Sequence, residues 1–254
     1  MTAEFAPGVT VQRFRAWLDP PVKIGDRCIT IVRIDPAQHR FRLLTAAAEG
    51  GSRPVTEWLS KYKLMGVINA SMYAESRRSI GLMVSGREVN NDRDNDKLGG
   101  FMAWDAAEDT KTKTPGVAFL GRQCRGFDLE KIRRRYRTIV QNYRLLDCDG
   151  KAIPWKDEKA FSAAAIGQDR AGRVVFIHSR TPHTMTAFAS MLASPALSLS
   201  AAVYVEGGPE ASLHVRSGTA VISEMGSYET DFRADDSNSS FWEIPNVIGF
   251  YPAK

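Results

Sequence analysis

Val203-Tyr204-Val205-Glu206-Gly207-Gly208-Pro209-Glu210-Ala211-Ser212 reads as a β-strand that runs into a tight turn. Val203 and Val205 alternate around Tyr204, the period of a strand with at least one buried face. Gly207 and Gly208 permit positive φ or a close approach to the backbone. The strand thus delivers one carboxylate, Glu206, to its end, and a second carboxylate and a hydroxyl, Glu210 and Ser212, follow in the turn. The pattern suits a site at a strand end, and it equally suits ordinary loop punctuation with Glu206 ion-paired to a base.

The strand-and-turn rhythm continues on both sides. Residues 163–167 and 174–179 flank Asp169-Arg170-Ala171-Gly172, a hairpin signal. Residues 81–84 and 87–89 flank Ser85-Gly86, a two-residue turn. Further strands are expected at 9–14, 29–34, 41–45, 64–68, 117–120, 138–146, 213–215 and 247–250, with a hairpin turn at 35–39 on Asp35-Pro36. Pro54 opens a helix whose apolar face is Val55, Trp58, Leu59 and Tyr62, ending near Lys63. Thr184 caps a helix over 185–192, with Phe188, Met191 and Leu192 inward. Residues 128–137 form a basic amphipathic helix: Leu129, Ile132 and Tyr136 recur at helical spacing, and Lys131, Arg133, Arg134, Arg135 and Arg137 face solvent. The polar stretches 90–97 and 106–113 are expected on the surface, and no internal repeat is present. The expected fold class is α+β: a mixed, largely antiparallel β-sheet core with a few packed helices, a single domain over 1–254 in which 1–28 leads into a core at 29–251.

A chain of 254 residues, 43% hydrophobic, buries a large core. No apolar run reaches the roughly 18 to 20 residues of a membrane-spanning helix. Residues 1–24 carry charges and prolines where a signal peptide has an apolar core, which fits a cytoplasmic protein or a trimmed leader. Cys28, Cys124 and Cys148 lack C-x-x-C spacing, which argues against structural zinc; one disulfide with one free thiol, or three thiols, both fit. Thirty-four basic against 29 acidic residues leave +5, far from a dedicated nucleic-acid binder. The basic helix has no interleaved aromatic platform for single strands, so no nucleic-acid partner is expected.

Polar clusters fall at four predicted strand ends: Asn69 and Ser71, Gln141 and Asn142, His178 and Ser179, and Glu206. Convergence on one cleft would satisfy them through each other or through a polar ligand such as a sugar. Walker, dinucleotide, zincin and serine-elbow motifs are all missing from the sequence, and no cofactor is named by it.

Taken in order, Asn69-Ala70-Ser71-Met72-Tyr73, Gly81-Leu82-Met83-Val84-Ser85-Gly86, Gln141-Asn142, Ala163-Ala164-Ala165-Ile166-Gly167, Gly172 to His178 and Glu206-Gly207-Gly208 resemble the phosphodiester glycosidase domain family, in its bacterial envelope branch. Asn69, Tyr73, Gly167, Gly207 and Gly208 match its motif positions. Ser71 stands where a glycine is usual, Glu206 where an aspartate is, Pro209-Glu210 where a glycine or serine pair is, and Ala163 where many members carry arginine. The resemblance implies hydrolysis of the bond between a sugar's anomeric carbon and a phosphodiester oxygen, in a periplasmic or secreted protein. On that reading Glu206 stabilises the developing cation or activates water, with Glu210 as a second carboxylate. His178 and Arg180 meet the phosphate. Asn69, Gln141 and Ser212 hold sugar hydroxyls, Tyr73 stacks on the sugar, and Ser71, Asn142 and the glycines line the cleft. The four departures motivate a second expectation, a non-catalytic binder of an envelope glycan or glycosyl phosphate.

Overall fold

The computed structural model describes residues 2–107, 115–156 and 158–253. The chain begins with β1 (Thr2–Ala6), β2 (Val9–Arg15), β3 (Cys28–Ile34) and β4 (His39–Thr45), then α1 (Ala46–Glu49) and α2 (Val55–Lys61). It continues through β5 (Gly66–Asn69), β6 (Met83–Ser85), β7 (Glu88–Asn91), β8 (Gly100–Ala106), β9 (Val117–Gly121) and α3 (Leu129–Arg135). Next come β10 (Tyr136–Arg144), β11 (Ala160–Asp169), β12 (Val174–Thr184), α4 (Met185–Leu192) and β13 (Leu199–Gly207). A 3-10 turn (Gly208–Glu210) leads to β14 (Ser212–Ser217), β15 (Ala220–Met225) and β16 (Asn246–Pro252).

The described strands form two sheets, and every named pairing is antiparallel. The larger has 11 strands along the path β1-β2-β3-β12-β11-β13-β10-β6-β7, with β8 and β9 branching from β10; the smaller runs β15-β14-β5-β16-β4. The α+β reading is correct. Strand alternation dictates the layering. On β3 and β12, Val32, Ile34, Val174 and Phe176 face the small sheet and meet Ile68, Leu213, Ile248 and Phe250. Their neighbours Ile29, Ile31, Val175 and Ile177 face the other way, onto Phe188, Met191 and Leu192 of α4. On the far side of the small sheet, Leu44, Val67 and Val247 bury Val55, Trp58 and Leu59 of α2. The layers therefore run α4, large sheet, small sheet, α2.

The caps behave as their sequences require. Thr184 accepts from Ala187 N and Asp128 from Lys131 N, so α4 and α3 start where a side-chain oxygen satisfies a free amide. One expectation is corrected. Residues 35–39 do make a turn, with Gln38 N and His39 N donating to Asp35 O, but β3 and β4 do not pair. Both edges of β3 are taken by β2 and β12, so the turn carries the chain from one sheet to the other. Periodicity also missed β1, β8 and β15. Of the predicted surface stretch 106–113, residues 108–113 lie outside the described residues. Among the described residues, no helix is long and apolar enough to cross a membrane.

The cysteine alternatives are resolved: Cys124 and Cys148 are bonded and Cys28 is free. The bridge ties the loop before α3 to the turn after β10 across 24 positions. Cross-linking a loop of that length restricts the unfolded chain by about 3.5 kcal/mol. Replacing both cysteines by serine is expected to lower urea-unfolding stability by about that amount with the fold retained; an unchanged midpoint would mean the bridge constrains nothing.

Candidate active site

β13 pairs with β11 through a break in register: Tyr204 lies opposite Ala165, and Glu206 lies opposite Ala164. Val205 is the extra residue of a bulge, and a bulge re-aims the side chain that follows it. Without it Glu206 would pair with Ala163, on the face packed against α4. With it Glu206 joins the row of Ala164 and His178, on the face that meets the small sheet. Glu206 is 6% exposed there. Its Oε1 accepts from Gly207 N at 3.1 Å, and its Oε2 has no hydrogen-bond partner among the described residues.

The turn after Glu206 is held by close approaches that leave no room for side chains. A Cβ on Gly207 would stand 2.2 Å from the Tyr204 hydroxyl, and one on Gly226 would stand 1.9 Å from Gly208 O. Gly208 has φ +64, and the Glu229 carboxylate occupies the space where its Cβ would be. Three carboxylates, Glu206, Glu210 and Glu229, therefore surround one turn. Tyr73 donates its hydroxyl to Glu210 Oε1 at 2.7 Å.

Charge crowding and burial set the protonation. Burial first, and then the neighbouring Glu210, push Glu206 well above the ordinary carboxylate range, against the opposing Gly207 N–H. Glu229, half-buried, is raised by burial and by Glu210, with Lys159 opposing. Burial and the bond to Glu210 raise Tyr73, so its phenol keeps its proton. Burial thus favours the protonated form of Glu206 beside a second carboxyl group, Glu210, that is partly open to solvent. A pair of carboxyl groups in such different environments is the arrangement that acid–base chemistry uses.

The other expected residues divide into those that build this turn and those that lie apart from it. Asn69, at the end of β5, accepts from Ser212 N at 2.7 Å and donates to Glu210 O at 3.0 Å, clamping the turn from the small sheet. Ser212 Oγ donates to Glu210 O, and His178 bonds to Ala211 O at 3.1 Å. Burial keeps His178 neutral, so its Nε2–H is the donor and it supports the turn from beneath. Asn142 donates to Ala70 O, and the Ser71 hydroxyl lies within hydrogen-bond distance of Ser79 Oγ and Met72 O; both knit the segment that carries Tyr73. Three expected residues stand apart. Gln141 binds Leu82 N, Asn95 N and O, Leu98 O and Asp94 Oδ1, which fills its amide. Arg180 is held by Asp236, Met225 O and Asn238 O. Gly167 serves the close passage of β11 by Ala201 O.

Sequence reasoning missed Glu229, which sits in a polar loop with no periodic signal, and Arg77. The Arg77 side chain is exposed, and its charge bears on the Tyr73 hydroxyl. A cavity of about 770 Å³ opens elsewhere, between β4 and the β8–β10 pair, and holds none of the carboxylates. Chemistry rather than volume singles out the Glu206 turn. Among the described residues no group of three or more His, Cys, Asp or Glu side chains is arranged to hold a metal ion.

The profile of the phosphodiester glycosidase family matches residues 62–251. No curated protein sequence matches the chain. Among solved structures, a hypothetical protein from Synechocystis superposes with a TM-score of 0.63 at 14% identity, over 99% of this chain and 63% of that one. The present chain thus spans less than two thirds of that protein's length. The catalytic domain of zebrafish N-acetylglucosamine-1-phosphodiester alpha-N-acetylglucosaminidase, auto-inhibited by its pro-peptide, superposes with a TM-score of 0.64 at 13% identity, over 98% of this chain and 85% of that one. At these identities the two likenesses show a shared fold.

The protonation of Glu206 has a measurable consequence. A carboxyl raised on folding keeps its proton where the unfolded chain has lost it, so stability falls as pH rises from the ordinary carboxylate range toward the raised value. Glu206→Gln removes that contribution. As pH rises above about 4.5, the variant is expected to lose less stability than the native protein in urea unfolding. Equal losses would mean that Glu206 ionises in the folded state.

Proposed function

Because the chain belongs to the phosphodiester glycosidase family, matched from residue 62 to residue 251, we propose that it hydrolyses the bond between a sugar's anomeric carbon and a phosphodiester oxygen. The observation that carries this reading is the meeting of Glu206, Glu210 and Tyr73 at the Gly207-Gly208 turn. Water adds to the anomeric carbon as the bond to the phosphoryl oxygen breaks. Glu210, held by Tyr73, takes the water's proton, and the protonated Glu206 gives its own to the departing oxygen. A phosphomonoester leaves as a stabilised anion, so this proton need move only partway in the transition state. A neutral Glu206 also spares the anionic substrate one repulsive charge. Arg77, beside Tyr73, is the cation assigned to the phosphate, since Ala163 offers none and Arg180 is tied to Asp236.

A second reading, a protein that binds a glycan or glycosyl phosphate without cleaving it, is favoured by Ala163 and by the internal bonding of Asn69, Ser71 and Ser212. The Cys124–Cys148 bridge supports an oxidising compartment, so we place the protein in the periplasm or outside the cell.

The test is a panel of sugar-1-phosphodiesters followed by phosphorus resonance and free-sugar release. Glu206→Gln is expected to lower kcat by about 100-fold or more. Arg77→Ala is expected to raise KM about 10-fold, the worth of one charge-assisted hydrogen bond. Full rate in Glu206→Gln would remove Glu206 from the mechanism. Saturable binding without turnover in the native protein would favour the second reading.

A further inference from the structure

The basic helix that the sequence singles out has no part in the carboxylate site. α3 packs through Ile132, next to Tyr136 at the start of β10, onto a cluster that includes Ala118 and Leu120 of β9 and Phe127. The packing is incomplete, and a cavity of about 400 Å³ opens between α3 and β9. Its floor is Ala118, Leu120, Phe127 and Ile132, and its rim carries Arg125 and Lys131. Arg135 also reaches the rim and has a partner of its own.

Two features make this groove a built one. Its walls are fixed. The Cys124–Cys148 bridge borders it, and Arg122 lies over the Phe127 ring at 5.5 Å while ion-pairing with Asp94. Two of its exposed cations are not ion-paired among the described residues. Arg125 and Lys131 are exposed and have no hydrogen bond or ion pair from their side chains to any described residue. Asp128, the acid on the rim, is turned to cap Lys131 N at 2.9 Å. An apolar floor under free cations discriminates against both neutral and purely ionic ligands, because each would leave half of the surface unmatched. A nucleic acid is disfavoured because none of the rings that line the groove is exposed: Tyr136 is buried, Phe119 and Phe127 are half-buried, and Arg122 covers Phe127.

We propose that this groove is a second ligand site, which takes one alkyl phosphate: the chain lies on Ala118, Leu120, Phe127 and Ile132, and the phosphate sits between Arg125 and Lys131.

Calorimetric titration of the whole chain with decyl phosphate, kept below its micelle concentration, tests this. Saturable one-to-one binding is expected. It should weaken at least about 10-fold in the Arg125→Glu, Lys131→Glu double variant, as expected when two charge-assisted contacts are reversed. Decyl maltoside and inorganic phosphate, each lacking one half of the ligand, should also bind about 10-fold more weakly or worse. Ala118→Trp, which fills the floor, should abolish binding, and circular dichroism reports whether each variant is folded. Absence of saturable binding, or equal affinity in the folded double variant, would overturn the proposal. So would binding of an oligonucleotide or of anionic phosphatidylglycerol vesicles in place of the single amphiphile.

Discussion

One unpaired residue, Val205, decides where the chemistry of this protein sits. The bulge it creates opposite β11 turns Glu206 from the α4 face of the large sheet to the face between the sheets. A carboxyl aimed there loses its water, keeps its proton and lies next to whatever the small sheet presents. The small sheet presents Asn69, whose amide bridges Glu210 O and Ser212 N. The candidate site is therefore a seam: β13 of one sheet brings the buried acid, and β5 of the other holds the turn that carries its partner.

The burial of Glu206 is tolerable because its surroundings are fixed. His178 donates to Ala211 O from below, Gly226 closes on Gly208 O, and Tyr204 reaches under Gly207. None of these groups needs to touch a substrate. Their work is to keep three carboxylates gathered against mutual repulsion, which the protein reduces by protonation and by the Tyr73 hydroxyl.

Much of this was legible in sequence, for physical reasons. Residues 163–167, 174–179 and 203–205 alternate or run apolar because both faces of their sheet are covered, and α2 and α4 announce themselves through Pro54 and Thr184. The Gly207-Gly208 turn and its two acids stand out as a dense run of special residues, although the pattern alone suits a site and ordinary loop punctuation alike. Side-chain roles were less visible. Asn69 and Gln141 are both buried amides at strand positions, and only their partners reveal that one clamps the Glu210 turn while the other fastens the 94–98 loop. Glu229 could not be read at all, since it joins the site through a loop without period. The period of 29–34 marks a strand but does not name its partner, because pairing depends on edges already occupied elsewhere in the sheet.

The passage of the chain between sheets at 35–39 has a kinetic side. β3 pairs with β12, and β4 pairs with β16, so strands made early close onto strands made much later. Contacts between such distant segments form slowly, because the long loops between them must be closed first. During synthesis residues 39–45 wait for residues 246–252, and their apolar faces stay uncovered in the meantime. A nascent chain of this topology stays threadable until residues 246–252 have been made.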